Sequence, residues 1–380
     1  MNLEDTISGR VCVVSHRLGG YDGVSVEAAK WEAGFQALGW EVTRAAGFFV
    51  DHRATDVVIA GMWADRPGGD PPPVDHRTIQ HVVGSHDLLV LDNAGSLWSA
   101  PKASLAWESH ALAAGVPTIL RHHDPPFQGT PLRPITDGSV PLHDVRHLHV
   151  VINRFTYGQF DERWPELPGA GALRVAHNRV DVDELATGDR DRTRAELGVD
   201  RREILLAHPA RADERKNVPG AVEFALELAD RVDRPVRYWL TDPAAPLPDS
   251  LQRALDRAPG LIRGHVARQA DLYAAADVVL LPSAWEGWGL PVVEAAAARR
   301  IVVAGPYPML EEIRGFGLRV HDPAEVDTVA ALLEDRQKAA ELLESNRAAV
   351  REHCDLRFLP AELADLAATA RRLAGSPAQP

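Results

Sequence analysis

The sequence predicts an α/β protein with two parallel-sheet domains. Apolar runs of strand length alternate with amphipathic stretches of helical periodicity along most of the chain. This alternation is typical of parallel sheets joined by right-handed crossover helices. It stops within residues 165–200 and then starts again, which divides the 380 residues into two sets. At roughly 150 residues per domain, this length also fits two Rossmann-like domains and little more.

The first set of elements lies before residue 165. Gly39 and Gly115 directly follow the two predicted helices, and glycine at that position commonly ends a helix. Two loops rich in proline and glycine, at residues 65–76 and 124–141, have lengths that are often functional in compact domains. The predicted strands are residues 11–14, 56–60, 88–92, 117–120 and 148–153, and the predicted helices are residues 25–38 and 102–114.

The second set follows the same pattern and ends in a helical tail. The predicted strands are residues 204–207, 236–240, 261–263, 278–281 and 301–304, and the predicted helices are residues 219–230, 250–257, 269–275, 290–298 and the tail 339–374. We therefore predict a first domain over residues 1–178, a second over residues 179–350, and a C-terminal segment over residues 351–380.

Composition excludes several classes of function. The chain has 41 basic and 54 acidic residues and a formal charge of −13, which disfavours nucleic-acid binding. Cys12 and Cys354 are too far apart in sequence for a disulfide framework or a metal-ligand spacing. No signal peptide and no apolar run near the ~20 residues of a membrane span are recognisable. We expect a cytoplasmic protein without integral membrane association and without a bound metal.

The strongest motif follows the strand predicted at residues 278–281. It reads PSAWEGWGLPVVEA, from Pro282 to Ala295. Gly287 and Gly289 allow backbone amides to approach an anion closely at the start of the next helix. Carboxylates on either side of a diphosphate would repel it, so Glu286 and Glu294 are better suited to accept hydrogen bonds from sugar hydroxyls.

Two further loops follow predicted strands. The loop HPARADERKNVP, from residue 208, carries Arg211 and Lys216, which together suit a leaving diphosphate. In the first domain, Asp22 and Gly23 open a helix, and His122 and His123 follow a strand. The sequence does not decide which of these two histidines would face a sugar hydroxyl. Because parallel sheets bind ligands beyond the carboxyl ends of their strands, these loops are the candidate sites.

These motifs resemble the family 4 retaining glycosyltransferases. Glu286-x7-Glu294 resembles the family's E-x7-E signature, and Arg211-x4-Lys216 resembles its Arg/Lys pair. The segments around Gly23, His123 and HNRVD at 177–181 also resemble the family, in the same order along the chain. Asp22 departs from the pattern, since the first glycine of a pair is usual there.

The resemblance implies the GT-B fold, in which two domains face each other across a cleft and a C-terminal helix crosses back to the first domain. It implies that Glu294 binds the nucleotide ribose, that Glu286 and the backbone around Gly287, Trp288, Gly289 and Leu290 hold the donor sugar, and that Arg211 and Lys216 stabilise the departing diphosphate. By the same resemblance, Gly23 lies near the phosphates and His123 contacts the transferred sugar. The family generally needs no metal.

The implied reaction moves a hexose from a nucleotide-diphosphate sugar to a hydroxyl acceptor with retention. UDP- or GDP-linked donors are expected, with no further cofactor, and a small soluble sugar or metabolite as acceptor. Same-face attack is favoured over double displacement, for which Asp124 is the candidate nucleophile. A nucleotide-sugar epimerase, a sugar phosphorylase and a non-catalytic sugar-nucleotide-binding protein are the alternatives, and a homodimer is a possible assembly.

The acceptor is expected against the first domain, near Gly23 and the loops at 92–96 and 124–134. Three aromatic residues there (Trp98, Trp107 and Phe127) suit either stacking on the acceptor or packing in the core.

Overall fold

The structure is a computed structural model that describes residues 8–62, 72–96, 100–128, 141–212, 214–242 and 247–376. The contacts within it divide the chain into two compact units. Unit 1 comprises Met1–Asn178 and Arg357–Pro380, and unit 2 comprises Arg179–Leu356. Each unit contains one parallel sheet covered by helices, as the alternation of short apolar runs and amphipathic stretches predicts.

Unit 1 is built on a parallel sheet whose central strand β4 is buried over its whole length. The strands are β1 (Arg10–Leu18), β2 (Glu41–Phe49), β3 (Val57–Val58), β4 (Leu88–Asp92), β5 (Thr118–His122), β6 (Leu148–Val151) and β7 (Leu173–Val175). The helices between them are α1 (Gly23–Ala37), α2 (His76–Gly84), α3 (Pro101–Ala114), α4 (Arg154–Arg163) and α5 (Glu166–Gly169). The order is β3-β2-β1-β4-β5-β6-β7, so the chain changes direction across the sheet between β1 and β4.

Unit 2 repeats this design with a smaller sheet. The strands are β8 (Ile204–Arg211), β9 (Val236–Asp242), β10 (Ile262–Arg263), β11 (Val278–Leu281) and β12 (Ile301–Ala304). The helices are α6 (Arg190–Glu196), α7 (Val218–Ala229), α8 (Asp249–Leu255), α9 (Gln269–Ala275), α10 (Leu290–Ala297), α11 (Leu310–Gly315), α12 (Val326–Glu334) and α13 (Arg336–His353). The order is β10-β9-β8-β11-β12, and the change of direction falls between β8 and β11.

The last helix, α14 (Leu359–Ala374), belongs to unit 1 and packs on α1. Gly34 of α1 makes this possible, because a Cβ atom there would lie 2.6 Å from a methyl carbon of Leu363. The tail predicted as helical over residues 339–374 is therefore two helices. The break between them is held by backbone hydrogen bonds from Val180 to Cys354 (2.9 Å) and from Leu356 to Val180 (2.8 Å).

In unit 1 the structure corrects one predicted strand and contains two strands that were not predicted. The nine-residue strand β2 was not predicted, because Thr43, Arg44 and Gly47 interrupt its apolar pattern. The strand predicted at residues 56–60 is reduced to β3, a short edge strand that pairs only with β2. The unpredicted strand β7 has three residues and closes the opposite edge.

Candidate functional site

Two of the candidate residues of unit 2 lie in loops at neighbouring strand ends. The loop after β8 contains Lys216 and the loop after β11 contains Glu286, and β8 pairs with β11 in parallel. Ligands bind at this kind of position in open α/β sheets, where the strand order reverses. The loops are also tied directly, since the Ala284 amide donates to the Arg215 carbonyl (2.9 Å).

Lys216 and Glu286 form an ion pair. Lys216 Nζ donates to Glu286 Oε1 at 2.6 Å, and the two side chains are 12% and 9% exposed. Arg215 lies at 4.0 Å from the other oxygen of Glu286. The structure thus brings together the lysine and the carboxylate that the sequence places 70 residues apart.

Asn217 fixes the geometry of this loop, although it lies outside the Arg211-x4-Lys216 motif. It adopts a left-handed conformation (φ 49°), and its side chain accepts from the Gly220 amide (3.1 Å) at the start of α7. The same side chain donates to the Pro282 carbonyl (3.2 Å) in the loop after β11. An asparagine just before Val-Pro is a capping signal that the sequence shows, whereas its contact with the Pro282 carbonyl could not be predicted from the sequence.

Glu294 lies on α10 and is almost fully buried. Its Oε2 accepts a 2.6 Å hydrogen bond from the hydroxyl of Tyr273 on α9. Burial and the charge of Glu294 both raise the pKa of Tyr273, so its hydroxyl remains a donor. Tyr273 therefore orients the carboxylate, a contribution that no motif in the sequence indicated.

Arg211 ends β8 and is exposed. Its predecessor Pro209 has no N–H, and the pairing of β8 with β9 shifts register between His208 and Arg211. A proline in a central strand is expected at such an irregularity. His208 is buried, and burial lowers its pKa to about 3.

The glycine-rich segment leads into α10. Gly289 precedes the helix with φ +97°, a conformation that favours glycine, and Leu290 is the first helical residue. Gly287 lies in the same loop, and Trp288 is buried, with its ring 6.2 Å from that of Phe316. In the described part of unit 2, α10 begins without a side-chain cap.

In unit 1 the structure separates the two adjacent histidines. His122 is the last residue of β5 and points into the core, within 3.0 Å of Ser96 Oγ and 3.2 Å of His149 Nδ1. Burial lowers its pKa to about 3. His123 is the first residue beyond the strand, and its Nε2 lies 2.7 Å from Asp92 Oδ1. His123, and not His122, is therefore the residue that follows the carboxyl end of β5.

Asp92 is held in turn by a buried arginine. Arg121 Nη1 lies 3.3 Å from Asp92, and Nη2 donates to Glu27 (2.8 Å) and to Asn178 Oδ1 (2.7 Å). Burial alone would raise the pKa of Asp92, but contacts with Arg121 and His123 outweigh it and lower this pKa. Asp92 is thus an ionised, fully buried carboxylate that orients His123.

Asn93 holds the backbone of the same segment. It has φ +60°, and its side chain accepts from the His123 amide (3.2 Å) and donates to Asp124 Oδ1 (2.9 Å). A non-glycine residue in this region is unusual, and such residues often occur at functional sites. The pair Asp92-Asn93 therefore positions both the ring and the main chain of His123.

The N-terminus of α1 is capped by the side chain of Asp22. Asp22 accepts from the Ser25 amide (3.1 Å) and hydroxyl (2.9 Å), and it pairs with Arg17 (2.9 Å). Gly23 is the first residue of α1, and a Cβ atom there would meet open space. Asp22 thus takes the position at the helix end that a bound anion would otherwise take.

The aromatic residues expected near the acceptor have different surroundings. Trp107 is fully buried and its Nε1 donates to Met62 Sδ (3.0 Å). Phe127 is 8% exposed and packs against Phe160 and Trp164. Both residues are core residues and are not available for stacking. Trp98 and residues 129–140 lie outside the described residues.

A cavity of about 290 Å³ opens beside α1 and the end of β1. It is bordered by small residues, including Gly19, Gly20 and Ala29, and by charged ones. The cations are paired, since Arg44 contacts Asp51 and Asp56 and Arg53 contacts Glu32. Hydroxyl groups suit such alternating charges better than a bare anion does.

Within the described ranges, no helix is long and apolar enough to cross a membrane. The same residues contain no group of three or more histidine, cysteine, aspartate or glutamate side chains arranged to hold a metal ion.

Comparison with known proteins supports one family. Residues 207–335, which include both loops of unit 2, match the family model for glycosyl transferases group 1. D-inositol 3-phosphate glycosyltransferase 1 of Catenulispora acidiphila is 28% identical over 300 residues, which cover 71% of this chain and 72% of that protein. D-inositol 3-phosphate glycosyltransferase of a Mycobacterium species (strain KMS) is 29% identical over 253 residues, or 62% of this chain and about half (54%) of the relative.

One solved structure is similar to this chain in its fold. HepE of Anabaena, crystallised with UDP and glucose, superposes with a TM-score of 0.69 at 16% identity, covering 93% of this chain and 98% of that one. The two parallel sheets, the loops at their carboxyl ends and these similarities define a glycosyltransferase with the GT-B fold. The chain is similar to family 4 of these enzymes.

Proposed function

We propose that this enzyme transfers a hexose from a UDP- or GDP-linked donor to a hydroxyl of a small acceptor, with retention of anomeric configuration. The observation that carries the donor assignment is the set formed by Lys216, Glu286 and Glu294 around the start of α10. A cation and an uncapped helix start favour a diphosphate, and the buried carboxylates favour sugar and ribose hydroxyls.

The leaving diphosphate would be stabilised by Arg211 and Lys216, without a metal or other cofactor. Cationic side chains aimed at developing negative charge commonly supply a large part of a rate enhancement. We propose same-face attack, in which a diphosphate oxygen accepts the proton of the acceptor hydroxyl as the sugar–phosphate bond breaks and the new glycosidic bond forms. His123 would contact the transferred sugar, and full activity should persist in the presence of a chelator.

The donor is identified by calorimetry with UDP, GDP, ADP and dTDP and then with their glucose and mannose conjugates. Selective binding of one nucleotide is expected, with a loss of about 10-fold or more in Glu294→Gln, because the substitution removes the charge from a buried hydrogen-bonded carboxylate. Glu344→Gln on α13, an exposed glutamate, is the matched control and should bind normally. Equal binding by both variants would refute the role of Glu294.

For the acceptor, we propose a polyol that binds in the cavity beside α1. Inositol and D-inositol 3-phosphate, which gives the relatives their names, are the first two compounds to test, and the paired charges of the cavity favour the compound without the phosphate. Ala29→Leu narrows the cavity and should raise the acceptor KM several-fold while the donor Kd stays unchanged. Ala37→Leu, exposed on the same helix, is the control.

The product distinguishes the reactions. Release of nucleoside diphosphate only when acceptor is present indicates glycosyl transfer. Release without acceptor, or formation of an epimerised donor, indicates the alternative epimerase or phosphorylase reactions. Nuclear magnetic resonance of the product then shows whether the anomeric configuration is retained.

A further inference from the structure

A buried tyrosine of unit 2 is not explained by any motif. Tyr307 follows β12 in the segment Gly305-Pro306-Tyr307, and only 3% of the residue is exposed. Its hydroxyl is buried and has no hydrogen-bond partner among the residues that the structure describes. Buried hydroxyl groups are nearly always partnered in native proteins, since leaving one unsatisfied is costly. A missing partner is therefore expected.

The position of this hydroxyl indicates where the partner lies. A Cβ atom added to Gly289 would collide with the Tyr307 oxygen, so that oxygen lies directly against the residue that precedes α10. Tyr307 is also close enough to Glu286 to feel its charge. The hydroxyl thus faces the same helix start that Lys216 and Glu286 border.

The neighbouring loop carries a second hydroxyl of this kind. Ser283 is fully buried, and its Oγ likewise has no partner within the described residues. Its loop packs on that of Tyr307, because a Cβ atom at Gly305 would lie 2.9 Å from the Ser283 carbonyl oxygen, and the Gly305 amide donates to Leu281 (2.9 Å). Unsatisfied donors therefore occur on both adjacent loops at this edge of the sheet.

Tyr307 can act only as a neutral donor near neutral pH. Burial raises its pKa well above the usual value, and the nearby carboxylate of Glu286 raises it further, while the charge of Arg314 opposes this effect. A protonated hydroxyl beside a helix start is well suited to an acceptor-only, anionic partner.

We propose that the Tyr307 hydroxyl is part of the donor site and donates a hydrogen bond to a phosphate oxygen of the bound nucleoside diphosphate at the start of α10. This inference rests on the proposed function, since it requires that a diphosphate bind to the Lys216–Glu286 set. It adds a binding residue that lies outside the E-x7-E motif.

The test is Tyr307→Phe in the full chain, with calorimetry of the nucleoside diphosphate that the unsubstituted chain binds and of the matching nucleoside. We expect the Kd of the diphosphate to rise about 10- to 100-fold, the range for a hydrogen bond to a charged group, and that of the nucleoside to stay within twofold. The midpoint of thermal unfolding without ligand should stay the same or rise, because the substitution removes an unsatisfied buried hydroxyl.

Tyr238→Phe is the matched control. Tyr238 is also fully buried in unit 2, but its hydroxyl already has a partner, His208 Nδ1 at 2.7 Å. This variant should lower the unfolding midpoint and leave the affinity for the diphosphate unchanged.

Three results would overturn the inference. Unchanged diphosphate affinity in Tyr307→Phe shows that the hydroxyl does not contact the ligand. A lower unfolding midpoint with equal losses for nucleoside and diphosphate shows that Tyr307 only supports the loop. If the unsubstituted chain binds no nucleoside diphosphate, the proposed function fails and this inference fails with it.

Discussion

The hydrogen bond between Asp92 and His123 offers a direct test of whether His123 contributes to catalysis, as proposed. Asp92→Asn keeps the size of the side chain and an oxygen that can accept from His123 Nε2, now 2.7 Å away. It removes the negative charge. Arg121 keeps Glu27 at 2.8 Å and Asn178 at 2.7 Å, so the buried cation remains paired and the fold should survive.

The magnitude follows from these contacts. A hydrogen bond to a charged group contributes about 1.5–3 kcal/mol and a neutral one about 0.5–1.5 kcal/mol, so the substitution weakens the hold on His123 by about 1–2 kcal/mol. If the oriented ring acts mainly in the transition state, that loss appears as a 5- to 30-fold fall in kcat, since 1.4 kcal/mol is a factor of ten. The donor KM should stay within about threefold.

The assay is the release of nucleoside diphosphate at saturating donor and acceptor, together with urea unfolding. Asp144→Asn is the control, because Asp144 is also paired with an arginine of unit 1, Arg146, at 2.6 Å. No hydrogen bond joins Asp144 to His123 within the described residues. An Asp92→Asn enzyme with unchanged kcat and reduced stability would refute the reasoning, since Asp92 would then only balance the charge of Arg121.

Three further predictions concern unit 2 and pH. Lys216→Met should lower kcat by about 100-fold or more through loss of a cation at the diphosphate, and lower stability by up to about 3 kcal/mol because Glu286 loses its 2.6 Å partner; a normal kcat would contradict the assignment. Gly289→Ala should lower the free energy of unfolding by more than the about 1–2 kcal/mol expected for an alanine in a left-handed conformation, because its Cβ atom overlaps the Tyr307 hydroxyl. The loss should be smaller in a Tyr307→Phe background, and urea unfolding of the unsubstituted chain, the two single variants and the double variant tests this coupling. His208 has a pKa of about 3 in the fold and about 6.5 in the unfolded chain, so only the unfolded chain takes up a proton as the pH falls from 7 to 5. This uptake should lower the free energy of unfolding by about 2 kcal/mol over that range. In His208→Asn the fall in unfolding free energy should be smaller by this amount.

The sequence predicted the parallel sheets and the chain positions of the site loops well, because both follow from local patterns. The strand at residues 278–281 and the helix from Leu290 agree with the structure, since a continuous apolar run, two glycines and a proline mark them. Strand β2 was missed because polar residues within it break the pattern. Local patterning thus predicts elements where burial is continuous.

Contacts within the sites were not readable in the same way. Tyr273 lies 21 residues from Glu294, and Lys216 lies 70 residues from Glu286, so only the folded sheet brings them together. The choice between His122 and His123 could not be made because β5 is buried on both faces, and alternation along it carries no information.

The two helices that leave the switch points of the sheets differ in one respect that bears on the donor. Asp22 caps the start of helix α1, and its carboxylate already accepts from the Ser25 amide and pairs with Arg17. Gly289 precedes helix α10, which has no side-chain cap among the described residues, and Tyr307 and the Lys216–Glu286 pair border that end. An anion at α1 would have to displace a carboxylate, whereas no side-chain cap occupies the start of α10 within the described residues. The replacement of a glycine by Asp22 therefore favours the diphosphate at α10 and leaves the surroundings of α1 to an acceptor rich in hydroxyl groups.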